Sequence, residues 1–165
     1  MNFNIAKCHL PRIAQKRKSS HFTYTITNQP ISQVESHPYL GITIDSKLSW
    51  SKHIHTTTSQ CARTLGLLKR TLHPATPKVK ETAYNMLIRP KLEYTTVACN
   101  PHKQNNIDTL DKIQRSAARF TLNDHRRKTS TTELINKLGW ETLETRRIQH
   151  QLTFFYKIKQ NLINI

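Results

Sequence analysis

The apolar pattern of this chain changes period at Trp50, and that change limits the fold more than any other feature. Before it, Phe22, Tyr24 and Ile26 alternate with polar neighbours in "HFTYTIT", the two-residue repeat of a half-buried strand. After it, Ile54, Thr58, Cys61, Leu65, Leu68 and Leu72 recur at intervals of three and four, which makes one apolar helical stripe. The chain therefore reads as α+β. A small antiparallel β unit occupies residues 1–50, and a helical bundle follows over residues 51–165.

Within the β unit, Asn28 to Pro30 break the first strand and Ile31 to Val34 resume it, which predicts a hairpin. A third strand spans Tyr39 to Ile44, with Gly41 inside it. Glycine weakens a strand interior, so Gly41 marks either a bulge or bend, or the close approach of another backbone or ligand. Lys7 to Ile13 predicts a further strand, confined by Pro11 to an edge or a bulge. The basic stretch "RIAQKRKSSH" reads as a loop.

In the helical part, Ser51 is the expected N-cap of the first helix. Thr76 caps the second, with Pro77 at its first position, where a missing N–H costs nothing. Val79, Ala83 and Met86 or Leu87 are expected to face inward until Pro90 kinks or stops the helix. "KLEYTTVACNP" adds a helical segment before Pro101. Ile107, Leu110, Ile113, Ala117 and Thr121 define another helix. Ser130 and Glu133 predict a capping box for a short helix ended by Gly139. The last helix carries Ile148, Leu152 and Phe155 on one side.

Charge narrows the class of partner. Twenty-six Lys and Arg against ten Asp and Glu leave a formal charge of +16, which calls for a polyanionic partner or environment: nucleic acid, ribosome or anionic membrane surface. An apolar fraction of 36% is low, so the core is modest or leans on something else. No apolar run approaches the roughly twenty residues of a membrane span. The N-terminus lacks the pattern of a secretory signal. Cys8, Cys61 and Cys99 are odd in number and widely spaced, which suits unpaired thiols in a reducing compartment. An intracellular location, nucleus or cytoplasm, is expected, without secretion.

The cations fall in rows. Lys52, Thr56, Ser59, Arg63, Gly66 and Arg70 lie along one line of the first helix, opposite its apolar stripe. Such a row is either a solvated face or a surface for a phosphate backbone, with guanidinium and hydroxyl donors and room left at Gly66. On the helix from Ile107, Lys112 and Arg115 are expected to pair with Asp108 and Asp111 at i,i+4, leaving Arg119 without a local partner. Arg146, His150, Thr153 and Lys157 line up on the last helix with no acidic partner in sequence, which makes them the better phosphate candidates. Binding of this kind is steeply salt-dependent.

Catalytic patterns are missing from the sequence. His53 and His55 stand two apart and point to opposite sides of a helix, and Cys8–His9 has no second ligand pair. Three glycines make no phosphate-binding loop. No G-x-S-x-G occurs, and no adjacent aspartates suit a two-metal phosphoryl-transfer site. The chain reads as catalytically incomplete, with no metal or cofactor of its own.

Five segments follow one another in an order that carries a resemblance: "YLGITIDSKLSWSKHI", "LGLLKRTL", "VKETAYNMLIRPKLEYTTVACNP", "IDTLDKIQRSAARF" and "LINKLGWETLETRRIQHQLTFFYKI". They resemble the C-terminal part of non-LTR retrotransposon reverse transcriptases of the LINE, jockey-like type, over nearly the whole chain. "MNFNIAKC" is similar to the segment just after that family's catalytic aspartates. The resemblance implies distal palm up to about Trp50, then a thumb and connecting region. Tyr39, Leu40 and Gly41 match the primer-grip turn, and Lys7 matches a lysine near the leaving pyrophosphate. The aspartates that bind the parent enzyme's divalent metal (Mg) have no counterpart here, and neither have the fingers. Cys99 replaces a usual tryptophan, and Pro11 interrupts a usually regular strand.

The resemblance implies a fragment of a longer reading frame, with Met1 internal to it. Such a fragment would hold primer–template duplex, an RNA–DNA hybrid, through backbone contacts from Lys52, Ser59, Arg63, Arg70, Arg146 and Lys157. Its other partner would be the missing upstream polymerase domain, with no membrane involved. The rival expectation is a non-catalytic helical interaction module whose apolar stripes pack on a partner protein.

Overall fold

Tyr39 and Ile42 face each other across a two-residue turn, and this register organises the best-formed part of the β unit. The structure, a computed structural model, describes residues 4–13, 22–126 and 128–163. The loop expected over residues 12–21 lies mostly outside them. The chain is α+β, with small strands first and helices after. It divides into two compact units at His53/Ile54, inside the first helix.

Among the described residues the first unit holds three two-stranded ladders. After a 3-10 turn at Ile5–Lys7, β1 (His9–Pro11) pairs in parallel with β4 (Ser32–Val34). β2 (Thr25–Ile26) and β3 (Gln29–Pro30) form a hairpin, and β5 (Ser36–Tyr39) with β6 (Ile42–Asp45) forms another. Pro11 sits at a strand end of a two-stranded ladder, as its missing N–H requires.

Several expectations are corrected here. The break in the first hairpin lies at Thr27–Asn28, both at positive φ, and Gln29–Pro30 belong to a strand. Segment 32–34 does not continue that hairpin but pairs with β1. The strand expected over Tyr39 to Ile44 is two strands. Leu40 (φ 47°) and Gly41 (φ 80°) are the central residues of their turn, the positive-φ pair that a type I′ hairpin demands. Gly41 is therefore a turn glycine, not a bulge within a strand. Phe22 and Tyr24, expected half-buried, are exposed, because β2 is too short to lay them on a partner.

The second unit is built on α1 (Ser51–Thr71), whose expected stripe is buried at Ile54, Thr58, Cys61, Leu65 and Leu68. α2 (Pro77–Leu87) follows the Thr76–Pro77 start, and α3 (Arg89–Glu93) begins beside Pro90. α4 (Gln104–Thr121) is the central helix, packed by α2, α5 (Thr131–Lys137) and α6 (Leu143–Lys159). Of the expected stripe Leu110, Ile113, Ala117 and Thr121 are buried and Ile107 is half-buried, while Gln114, Ala118 and Phe120 are buried beyond it.

α2 buries a different face from the one expected. Lys80, Tyr84 and Ile88 point inward, while Val79 (48% exposed), Met86 (71%) and Leu87 (46%) face out. The neighbours explain the rotation. Tyr84 stacks on Trp140, with ring centroids 4.3 Å apart, and Trp140 Nε1 donates to Glu81 Oε1 at 3.2 Å. Lys80 threads its stem inward, donates to Asn123 Oδ1 at 2.5 Å, and lies over the Phe120 ring. A lysine with a long apolar stem and a hydrogen-bonded head fills a core position that a hydropathy pattern assigns to solvent.

α5 ends as expected. Gly139 has φ 65°, its N–H donates to Asn136 O, and Trp140 N–H reaches back to Ile135 O. This pair of bonds is the Schellman arrangement. The capping box does not form: Ser130 is the N-cap, but its side chain makes no cap hydrogen bond. α6 buries Leu143 and Arg147, leaving Ile148, Leu152 and Phe155 exposed.

Candidate functional site

The row of cations expected on α1 is divided, with Lys52 in the first unit and Arg63 and Arg70 in the second. Lys52 donates to Ser36 Oγ within the first unit. In the second unit, Arg63 and Arg70 are exposed on α1, and Ser59 is half-buried between turns. Arg63 Nε reaches Ser59 O at 3.4 Å. A Cβ added at Gly66 would meet only Arg70 Nη1, at 4.0 Å, so no packing within the chain requires glycine there. Lys69, half-buried beside this row, extends toward α4 and donates to Ser116 Oγ at 2.9 Å.

That bond leads to a feature the sequence reading underrated. An open groove of about 680 Å³ runs along α4, lined by Asp108, Lys112, Arg115, Ser116, Arg119 and Thr131. The expected i,i+4 pairs do not close over it. Asp108 accepts from Gln104 Nε2 at 3.0 Å, and Arg115 Nη2 turns to the Asp108 backbone carbonyl at 3.4 Å. Asp111 keeps a buried Oδ1 with no hydrogen-bond partner. Burial pushes its carboxyl pKa up, and Arg115 and then Arg147 pull it back. Arg115 therefore acts on Asp111 through space, and among the described residues neither Lys112 nor Arg115 makes an ion-pair hydrogen bond to a carboxylate.

Arg119, expected to lack a local partner on the helix, turns to backbone carbonyls of the loop that follows. It is not partnerless: its guanidinium donates to the carbonyls of Asp124 (3.5 Å), Arg126 (2.7 Å) and Thr129 (3.0 Å). Five rigid donors on one side chain make arginine suited to collecting loop carbonyls in this way. Arg119 thereby pins the basic loop between α4 and α5 to one end of the groove.

The row on α6 is corrected. Arg146, expected free of acids, forks onto Glu93 and also reaches Glu141 Oε2 at 3.3 Å. Its pKa is raised by the Glu93 bonds. His150 Nδ1 is 3.0 Å from Thr96 Oγ1. Arg146 and His150 clip α6 to the α3 segment, and of the four residues Thr153 and Lys157 remain exposed.

In the first unit, Tyr39, Leu40 and Gly41 come together at the hairpin tip, with Leu40 74% exposed. Leucine at φ 47° is sterically strained, and its side chain gains no burial in return. Lys7 ends the 3-10 turn and is exposed. Among the described residues no hydrophobic side chain of this unit is fully buried.

No family model, curated protein or solved structure matches the chain. The reading of the site therefore rests on its chemistry.

Cys61 and Cys99 are buried and Cys8 is half-buried, all as free thiols. Burial raises the pKa of Cys61 and of Cys99 to about 11, which keeps both protonated and inert near neutral pH. Among the described residues no group of three or more His, Cys, Asp and Glu is gathered to hold a metal ion. No helix among the described residues is long and apolar enough to cross a membrane.

Lys112, Arg115 and Lys69 are the site residues that sequence reasoning missed. Their signal was present in the row on α4, but apparent i,i+4 partners masked it.

Proposed function

We propose that the chain is a distal palm and thumb fragment of a non-LTR retrotransposon reverse transcriptase, which holds nucleic acid by its phosphate backbone and performs no chemistry itself. The observation that carries this reading is the groove on α4. Its cations Lys112 and Arg115 make no hydrogen-bonded pair with Asp108 or Asp111, although Arg115 interacts with Asp111 through space, and Lys69 reaches the groove from α1. Cations without a fixed carboxylate partner exchange solution counterions for phosphates, which is the driving force of backbone binding. The α1 row of Arg63 and Arg70, with small residues between, presents a second surface of the same chemistry. Tyr39 to Gly41 form an exposed turn suited to backbone approach, the role their resemblance to a primer grip implies.

The test is a salt titration of binding to a short RNA–DNA hybrid, with circular dichroism on the same sample. A helical protein whose affinity falls steeply with salt supports the reading. A helical protein with no salt-sensitive binding removes it.

A second reading has its own observation. The outer face of α2 leaves Val79, Ala83, Met86 and Leu87 around a shallow apolar cavity of about 370 Å³. An apolar patch of this kind suits a helical interaction module packed on a partner protein. Binding that survives high salt and is lost in Met86→Asp would favour it over the first.

A further inference from the structure

The loop that Arg119 pins carries an unused hydroxyl. Ser130 stands at the N-cap of α5 with extended backbone (φ −63°, ψ 129°), yet its side chain makes no cap hydrogen bond. It is exposed. Serine at this position ordinarily gives its oxygen to the helix, so the free hydroxyl is a departure from the usual economy of a cap. In sequence, three cations at positions 126, 127 and 128 come two to four residues before it. Arg126 and Lys128 are exposed. Immediately after it, Thr131 lines the groove with Lys112, Arg115 and Arg119.

We propose that Ser130 is a phosphorylation site for a protein kinase that selects basic residues before its acceptor, and that the phosphate closes the α4 groove to polyanions. An acidic substrate channel recognises a basic run by charge complementarity, and the acceptor must be exposed, extended and not engaged elsewhere. Ser130 is exposed, its own backbone is extended and its hydroxyl is not engaged, with α5 beginning only at the next residue, where the Ser130 carbonyl accepts from Leu134 N–H. Arg119 restrains the loop through carbonyl oxygens and leaves the Ser130 hydroxyl untouched. In the reaction the Ser130 oxygen bonds to the γ-phosphorus of ATP, the bond from that phosphorus to ADP breaks, and the hydroxyl proton passes to the kinase's base.

The product would add nearly two negative charges next to Thr131, at the lining of the groove that holds Lys112 and Arg115. Lys112 and Arg115 would then have an internal phosphate to neutralise, and a nucleic-acid strand would release fewer counterions on entering. This regulatory half rests on the reading of the groove given above; the modification itself does not.

The experiment treats the full chain with a basophilic kinase and ATP, maps phosphate by mass spectrometry, and titrates a short RNA–DNA hybrid before and after. Ser130→Ala, which removes no hydrogen bond of the cap, is the control for the site. Phosphate on Ser130 with at least about a tenfold loss of affinity at low salt is the expected result. Phosphate placed only elsewhere, or none at all, overturns the site. Phosphate on Ser130 with unchanged affinity overturns the regulation. Phosphate on Ser130 in a chain that never bound the hybrid leaves the site standing and removes the reading of the groove.

Discussion

Arg146 on α6 and Glu93 on α3 meet fork to fork, and both are mostly withdrawn from solvent. The pair decides whether a basic residue is structural or available to a ligand. Two parallel charge-assisted hydrogen bonds hold the guanidinium in one orientation, with Glu141 at the rim. Arg146→Ala should cost about 2 kcal/mol, because Glu93 is left partly buried without its donor. Thermal or urea unfolding would show the loss. Under conditions where the variant is folded, the salt dependence of nucleic-acid binding should match that of the parent chain. A lowered salt slope with unchanged stability would return Arg146 to the ligand surface.

The opposite outcome is expected for the cations in the groove on α4. Lys112 is exposed, and Arg115 makes a long bond to a backbone carbonyl and interacts with Asp111 through space. Lys112→Ala and Arg115→Ala should each reduce the slope of log K against log salt by about one, with stability within about 0.5 kcal/mol. The two variants together should remove about two. Slopes unchanged in the double variant would move the phosphate contacts off this groove.

These contrasts show where the sequence was informative. The α1 stripe was readable because its apolar residues form a single line, and one line leaves one way to face a core. α2 was not, since Val79, Ala83 and Met86 lie about one residue around the helix from Lys80, Tyr84 and Ile88. Both lines carry apolar material, and the Trp140 ring and the Asn123 amide decide between them. α6 turned the other way for a related reason. Polar clips to Glu93 and Thr96 set its orientation, and those partners stand more than fifty positions upstream. Period locates a helix and its possible faces, but the partner across the interface selects the face.

The same logic hid the groove. A local rule pairs Asp108 with Lys112 and Asp111 with Arg115, each worth only about 0.2–0.5 kcal/mol on a helix. A gain that small yields to any competing bond, and Gln104 takes Asp108 instead. Gly41 was half readable. The sequence asked why a glycine interrupts a strand, and the positive φ shared with Leu40 answers that the strand has already turned.

Tyr84 offers a test of the core. Its ring is stacked on Trp140 and almost wholly buried, but its hydroxyl has no hydrogen-bond partner. Burial, with Glu93 adding to it, holds the phenol protonated well above its usual range. A buried polar group with no partner costs its desolvation and gains nothing in return. Tyr84→Phe keeps the stack and deletes that cost, so it should raise stability by roughly 1 kcal/mol. Denaturant unfolding measures it. A loss of stability would show instead that the hydroxyl finds a partner in solution.

His53 makes the first unit sensitive to acid. It is buried, and its Nδ1 accepts from the Thr43 backbone N–H at 3.4 Å, which only the neutral ring can do. Burial opposes the charged form and lowers its pKa below the ordinary 6.5. The unfolded chain therefore takes up the proton more readily than the folded one. The stabilisation is complete above about 6.5 and is lost progressively as pH falls below that value and through the folded pKa. Hydrogen exchange at the Thr43 amide should speed up on acidification across that window, beyond the intrinsic change of exchange chemistry. His53→Asn keeps an acceptor that does not titrate, so its Thr43 protection should be flat there. Equal pH dependence in the two proteins would place the acid sensitivity of this unit on some other group.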